Sequence, residues 1–160
     1  MTEAIISFIQ SYVTSIFSTF LTLGVIYILV NQIFSKPLRK RRIQLSKRAG
    51  FGQISDEIKN SLLAILSSVV LTSIVMMMQQ NGRIEIYNDI SKYGIPYAIF
   101  AFFLILLVGD AWFYFAHRFL HHPKIYKYIH AVHHRSLDVN PFTFNSFHPL
   151  ESLLLTIWDR

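Results

Sequence analysis

The sequence predicts an all-α fold, a multi-span integral membrane helical bundle whose histidine clusters sit on helices at the cytosolic face. Three observations carry this prediction. The 160 residues are 52% hydrophobic and only 15% charged, where soluble proteins carry roughly a quarter, and the mean hydropathy is +0.39. Three separate apolar runs approach the roughly 20 residues that a helix needs to cross a bilayer. All seven histidines fall between His117 and His148.

The first apolar run covers residues 4–34. It exceeds the spanning length, so it tilts or begins in the interface, where Gln10 and Ser11 fit; residues 16–30 form its purer core. Glu3 stands near the N-terminus without an early Lys or Arg. A cleavable signal peptide needs that positive flank, so the run is expected to be retained as an anchor. A basic segment follows at residues 36–48, then a loop at Gly50-Phe51-Gly52. The second run, residues 61–78, is just long enough to span. Residues 79–94 are polar and contain the turn signal Asn81-Gly82. The third run starts at Ile95-Pro96, where proline suits a first helical turn, and reaches Gly109. Three runs of this length argue against a soluble helical core.

Charge orients the chain. Lys and Arg total 15 against 9 Asp and Glu, and seven of the basic residues fall in 36–48. A basic loop between apolar runs suits an anionic membrane face and not nucleic acid. That loop is expected to face the cytoplasm, with the charge-balanced stretch 79–94 on the opposite side. The third run then returns the chain, and all the histidines, to the cytoplasmic side. The division is residues 1–94, an N-terminal membrane region with two spans, and residues 95–160, a third span with the histidine region.

Cysteine is absent, which excludes disulfides, thiolate zinc and iron–sulfur ligation. Any metal must be held by nitrogen and oxygen. On a helix, residues four apart share a face about 6 Å apart along the axis, so His117 and His121 can point into one site, with Asp110 and Tyr114 on the same stripe. His130, His133 and His134 share a face in the same way. Pro123 suits the first position of a second helix, and the two helices are expected to form a hairpin with both histidine faces converging. Neutral imidazoles suit iron, zinc, copper or nickel. Five or six exceed the four ligands of a structural zinc, so they point to two metals or to a site completed from elsewhere. Asp110 is a candidate to accept the outer N–H of a metal-bound imidazole. A cytoplasmic pH sensor built from protonated histidines is a further alternative, whereas the adjacent pair His133-His134 does not suit a bis-histidine haem.

The order Asp110-x-Trp112-x-Tyr114-x-x-His117-Arg118-x-Leu120-His121-His122-Pro123, Lys127-Tyr128-Ile129-His130-x-Val132-His133-His134 and His148-Pro149-Leu150-Glu151 resembles the sterol desaturase / fatty acid hydroxylase superfamily. Ile125 to His130 looks closest to its sterol C4-methyl oxidase branch. The resemblance implies an integral membrane oxidoreductase with two non-haem iron ions at the cytosolic face. Zinc is the expected substitute metal. Such enzymes use O2 as co-substrate, and electrons from an external cytochrome or ferredoxin-type protein, to hydroxylate or desaturate a membrane lipid. The setting is the endoplasmic reticulum or a bacterial inner membrane.

Carried over, His117 and His121 match the first histidine box, and His130, His133 and His134 match the second. His122 stands as an alternative or additional box-one ligand. His148 and Glu151 match a motif with a structural or ligand-supporting role, His148 ahead of a helix and Glu151 in its first turn. The resemblance also implies a third histidine box downstream. The chain is therefore expected to be a fragment or truncated product that supplies part of the dinuclear site. Two other readings stand beside this one: an acyl-chain desaturase, whose longer first spacing His117 to His122 would satisfy, and a non-catalytic membrane metal-binding protein.

Overall fold

The computed structural model describes residues 2–38, 40, 49–85, 87 and 89–157. All regular structure among them is helical. Helix α1 spans Thr2–Ile28 and widens into a π turn at Leu29–Ile33. One short turn, α2, follows at Ser35–Leu38. Helices α3 (Phe51–Gln80) and α4 (Gly94–Leu120) are the other two long elements. Beyond α4 the chain breaks into short pieces: α5 (Pro123–Tyr126), α6 (Ala131–His134), a 3-10 turn at Pro141–Asn145 and α7 (Pro149–Thr156). Most of the basic segment 36–48 lies outside the described residues.

Three helices are long and apolar enough to cross a membrane. At 1.5 Å per residue the 30 residues of α3 reach about 45 Å, beyond a hydrocarbon core of about 30 Å. Its polar N-terminal turns therefore extend past the apolar layer. The 27 residues of α4 reach about 40 Å, so its last turns, which hold His117, do the same. In the most apolar window of α4 none of the residues is buried within the protein; Phe100, Phe103 and Leu107 are all more than 60% exposed. Such a surface is not stable in water; it suits lipid or a further apolar protein surface.

Local chemistry sets the helix ends. Asn81-Gly82 closes α3 in a Schellman motif, with Gly82 N–H donating to Gln79 O (3.0 Å) and Arg83 N–H to Met78 O (2.9 Å). Gly82 takes φ +65°, which a side chain would resist. Tyr87, Tyr93 and Tyr97 cluster with ring centroids 4.9 to 5.6 Å apart at the start of α4, where a membrane protein places its aromatic belt.

The structure corrects three boundaries. Gly50 caps α3, and Phe51 and Gly52 are its first helical residues and not a loop. The third run does not stop at Gly109, because α4 continues unbroken to Leu120. The expected hairpin of two histidine-bearing helices is absent. Only the first box lies on a long helix, and His130 to His134 sit on a turn and a single helical turn.

The core forms where α3 meets α7 and α1. Ser61, Ala64, Ile65 and Val69 of α3 are buried at helical spacing, and small residues there let backbones approach. Ser152 Oγ donates to Ala64 O at 3.0 Å, and Tyr12 Oη of α1 donates to Leu62 O at 3.3 Å. One further network ties α3 to the segment before α7. Buried Glu57 accepts from Gln53 Nε2 (2.8 Å), Asn140 Nδ2 (2.8 Å) and Thr143 Oγ1 (3.0 Å). Asn140 also caps the 3-10 turn through a reciprocal bond with Thr143.

Replacing that carboxylate by an amide turns donors against donors. Glu57→Gln should cost about 2–3 kcal/mol, the scale of hydrogen bonds to a charged group. Thermal unfolding in detergent checks this: a clearly lower midpoint with retained helix content is expected, and an unchanged midpoint would show the network to be dispensable.

Candidate metal centre

The site is assembled where the last turn of α4 meets the irregular stretch 127–134. His117 and His121, one turn apart, bring their Nε2 atoms to 3.2 Å. His130 and His134 bring theirs to 3.0 Å. The pairs interlock. The His130 ring lies 4.7 Å from His117, 4.6 Å from His121 and 4.6 Å from His134, centroid to centroid. Ligand atoms of His117, His121 and His130 all lie within 4.8 Å of one another. His133 sits at the margin, its ring 6.0 Å from His130 and stacked on Phe147 at 4.8 Å.

His130 is the centre of this arrangement and is fully buried. Its Nδ1 meets Oε1 of Glu151, in the first turn of α7, at 2.7 Å. The Glu151 side chain is buried as well, and burial raises its carboxyl to about pH 8. Burial first, then the neighbouring imidazoles, lowers His130 to about 4. His134 is lowered by the same causes. These imidazoles are therefore neutral at physiological pH, the form that ligates metal.

The donor set fits a metal. Metal–imidazole bonds are about 2.0–2.1 Å, so two nitrogens 3.0–3.2 Å apart are spaced as adjacent ligands of one ion. Two buried polar atoms at the site, His133 Nδ1 and Glu151 Oε2, have no hydrogen-bond partner among the described residues, which buried polar groups seldom tolerate. Glu151 orients His130 as carboxylates do behind metal-bound histidines.

Four candidate residues lie elsewhere. His122 and His148 each precede a proline, which favours an extended backbone, and each uses Nδ1 to cap the following helix. His122 accepts from Lys124 N–H (3.3 Å) and His148 from Leu150 N–H (3.2 Å). His121, and not His122, therefore faces the cluster. Asp110 is exposed on α4, and the carboxylate that meets an imidazole is Glu151, from a different helix. Tyr114 is also exposed, its hydroxyl accepting from Arg118 Nη1 at 2.9 Å. Sequence reasoning missed the aromatic walls: Phe113 stacks on His117 at 5.5 Å and Tyr126 on His121 at 5.6 Å. Phe113 lies four residues before His117, and that spacing was the available signal.

Substitution of the cluster separates these roles. His130→Ala should lose most bound metal, and His122→Ala should retain it; equal retention would reject the cluster as the binding site. Glu151→Gln should weaken metal binding about 10- to 100-fold. The sign of its pH dependence follows from protons. Below about pH 8 Glu151 holds a proton that it donates to Nδ1, leaving the hydrogen of His130 on Nε2. Ligation through Nε2 expels that hydrogen while the carboxyl proton passes to Nδ1. Metal affinity should therefore rise with pH up to about 8, and Glu151→Gln should flatten that rise.

The family model described as fatty acid hydroxylase matches residues 102–159. Delta(7)-sterol 5(6)-desaturase erg3C of Aspergillus fumigatus is 33% identical over 117 residues, 73% of this chain and 37% of that protein. Delta(7)-sterol 5(6)-desaturase ERG3 of Saccharomyces cerevisiae is 35% identical over 107 residues, 66% of this chain and 29% of its own length. The enzyme of that name in Candida albicans is 30% identical over 147 residues, 91% of this chain and 37% of its own length. The chain thus spans about a third of the length of these curated relatives. None of the three is named as a C4-methyl oxidase, the branch that Ile125 to His130 resembles. No solved structure matches the chain. With its motif order, the matched domain and these alignments taken together, the chain belongs to the sterol desaturase / fatty acid hydroxylase superfamily.

Proposed function

We propose that this chain carries part of an oxidoreductase centre that uses O2 to hydroxylate or desaturate a membrane lipid at a non-haem di-iron site. The observation that carries the proposal is the convergence of imidazoles around buried His130 at the end of a helix long and apolar enough to span a membrane. His117, His121, His130 and His134 are the ligands the geometry favours, with His133 beside them. The names of the relatives point to a sterol or a related lipid as substrate.

Iron held there would supply O2 reduction and the oxidising power to break an unactivated C–H bond. The protein residues do the rest. Glu151 fixes the ring of His130 and keeps its Nδ1 occupied, so that Nε2 faces the cluster. Phe113, Tyr126 and Phe147 stack on the rings of His117, His121 and His133 and hold their orientation. The exposed apolar flank of α4 lets a lipid approach without leaving the hydrocarbon layer. Hydroxylation converts one C–H to C–OH with one water released; desaturation removes two hydrogens with two waters released. Each consumes one O2, two electrons and two protons. The chain has no cysteine for an iron–sulfur relay, so an external electron-transfer protein is the proposed donor.

The proposed topology puts the histidine boxes on the cytoplasmic side with residues 36–48, following their positive charge. With no native cysteine to interfere, Lys40→Cys and Arg135→Cys should react alike with a membrane-impermeant maleimide in sealed vesicles; opposite accessibility would reject that orientation.

Metal analysis of the purified chain tests the chemistry. Two irons per chain, or per associated complex, with O2 consumed upon reduction, are expected. Stoichiometric zinc with no O2-dependent turnover would instead mark a metal-binding protein without catalysis.

A further inference from the structure

The end of α4 remote from the histidines carries a side-chain cluster that the metal centre does not use. Tyr87, Tyr93 and Tyr97 are each exposed, yet their rings gather with centroids 4.9 to 5.6 Å apart. The rings are turned against one another and not stacked. The planes of Tyr87 and Tyr97 meet at 87°, and Tyr93 is inclined to them by 48° and 44°. Local structure sets this arrangement. Asp89 caps a 3-10 turn at Ile90–Lys92, accepting from Ser91 N–H at 2.9 Å and from Ser91 Oγ at 2.7 Å. Gly94, at φ +79°, then turns the chain into α4. Tyr93 thus stands just before the helix and Tyr97 one turn inside it.

The face of an aromatic ring attracts a cation within about 6 Å of its centroid. With centroids no more than 5.6 Å apart, one cation above the cluster can lie inside that reach of all three rings. Lys92 Nζ stands 5.5 Å from the Tyr93 centroid while paired with Glu85 at 3.6 Å. The surrounding charge is balanced, Arg83 and Lys92 against Glu85 and Asp89. Hydrogen bonds from Ser91 hold the Asp89 carboxyl below the usual carboxylate range. Desolvation first, then Tyr97 and the Asp89 carboxylate, raise the Tyr87 phenol, so it stays neutral with a negative charge nearby. Such a surface favours neither an anion nor a bare cation; it suits a zwitterion. Directly beyond the rings begins the exposed apolar flank of α4, with Ile95 and Phe100 more than 60% exposed.

We propose that the three tyrosines bind the quaternary ammonium of a phosphocholine lipid headgroup, with its phosphate beside Lys92 and its acyl chains along the exposed flank of α4. A trimethylammonium has no N–H to leave unpaired against a ring, whereas the primary ammonium of an ethanolamine headgroup gives up hydrogen bonds to water there. The site therefore ranks two zwitterionic headgroups of the same net charge. Tyrosines of a general interfacial belt work through an apolar ring and a hydroxyl, and neither property separates those two headgroups. Tyr97 and His117 lie about 30 Å apart along α4, the thickness of a hydrocarbon core. The bound lipid is thus a different molecule from any oxidised at the imidazoles, and the proposal stands independently of the metal-centre reading.

Native mass spectrometry of the full chain in detergent measures the binding. The probes are dioleoylphosphatidylcholine, dioleoylphosphatidylethanolamine and the 3,3-dimethylbutyl ester of dioleoylphosphatidic acid, which has the shape of choline without its charge. Phosphatidylcholine should bind about five- to tenfold more tightly than either comparison lipid. Tyr93→Phe and Tyr97→Phe, which keep the ring, should retain that preference; Tyr93→Leu and Tyr97→Leu should each remove most of it with helix content unchanged. Glycerophosphocholine, the headgroup without chains, should compete only at far higher concentration than the lipid. Equal binding of phosphatidylcholine and either comparison lipid by the unaltered chain would overturn the proposal, whatever the variants do. So would a preference that survives in both leucine variants or disappears in the phenylalanine ones. Competition by glycerophosphocholine at the lipid's own concentration would overturn the lipid assignment in favour of a soluble quaternary ammonium compound.

Discussion

The buried pair of His130 and Glu151 is the constraint on which the site depends. An imidazole and a carboxyl, both withdrawn from water, are costly unless they satisfy each other, and a contact of 2.7 Å does so. That bond joins segments far apart in sequence, since Glu151 belongs to α7 and His130 to the turn after α5. With His130 fixed, His117 and His121 approach it from α4 and His134 from α6. Each of those rings lies within 4.8 Å of the His130 ring or of the other ring on its own helix. The polar core of the protein is thus a small cluster hung between three elements, none of which could position it alone.

The membrane explains why the support lies on one side. Helix α4 offers nearly all its apolar surface outward and meets the other described residues through α7 and the segments near its own ends. Helix α3 does the opposite work. It buries a stripe of small and apolar residues under α7, and through Glu57 it anchors the 3-10 turn that leads into α7. Two buried acidic side chains therefore act in series: Glu57 holds the connection to α7, and Glu151 holds the imidazole. Glu57 is satisfied by three donors, whereas Glu151 makes one contact, to His130.

Much of this was legible in the residues, because membrane helices and histidine spacing obey simple periods. Hydropathy located all three spans, and the i, i+4 relation joined His117 to His121. What the periods could not settle was determined by proline and by distance along the chain. A helix hairpin was expected after Pro123, but the chain makes only single turns around Lys127 and Arg135. His122 fitted a ligand spacing as well as His121 did; the following proline draws it into a capping role that the spacing does not reveal. Glu151 was noted for a helix first turn, yet its pairing with His130 crosses 21 positions, and local pattern is blind to such contacts. Asp110, on the correct helical stripe, was the natural choice for that partnership and is exposed instead.

The central claim is that imidazoles from α4 and from the stretch 127–134 bind metal together. Iron K-edge X-ray absorption on the reconstituted chain tests it most directly. The account predicts a nitrogen- and oxygen-only ligand sphere with strong outer scattering from several imidazole rings per iron. A sphere of oxygen ligands without imidazole scattering would contradict it, and the cluster around His130 would then be a hydrogen-bonded core and not a metal centre.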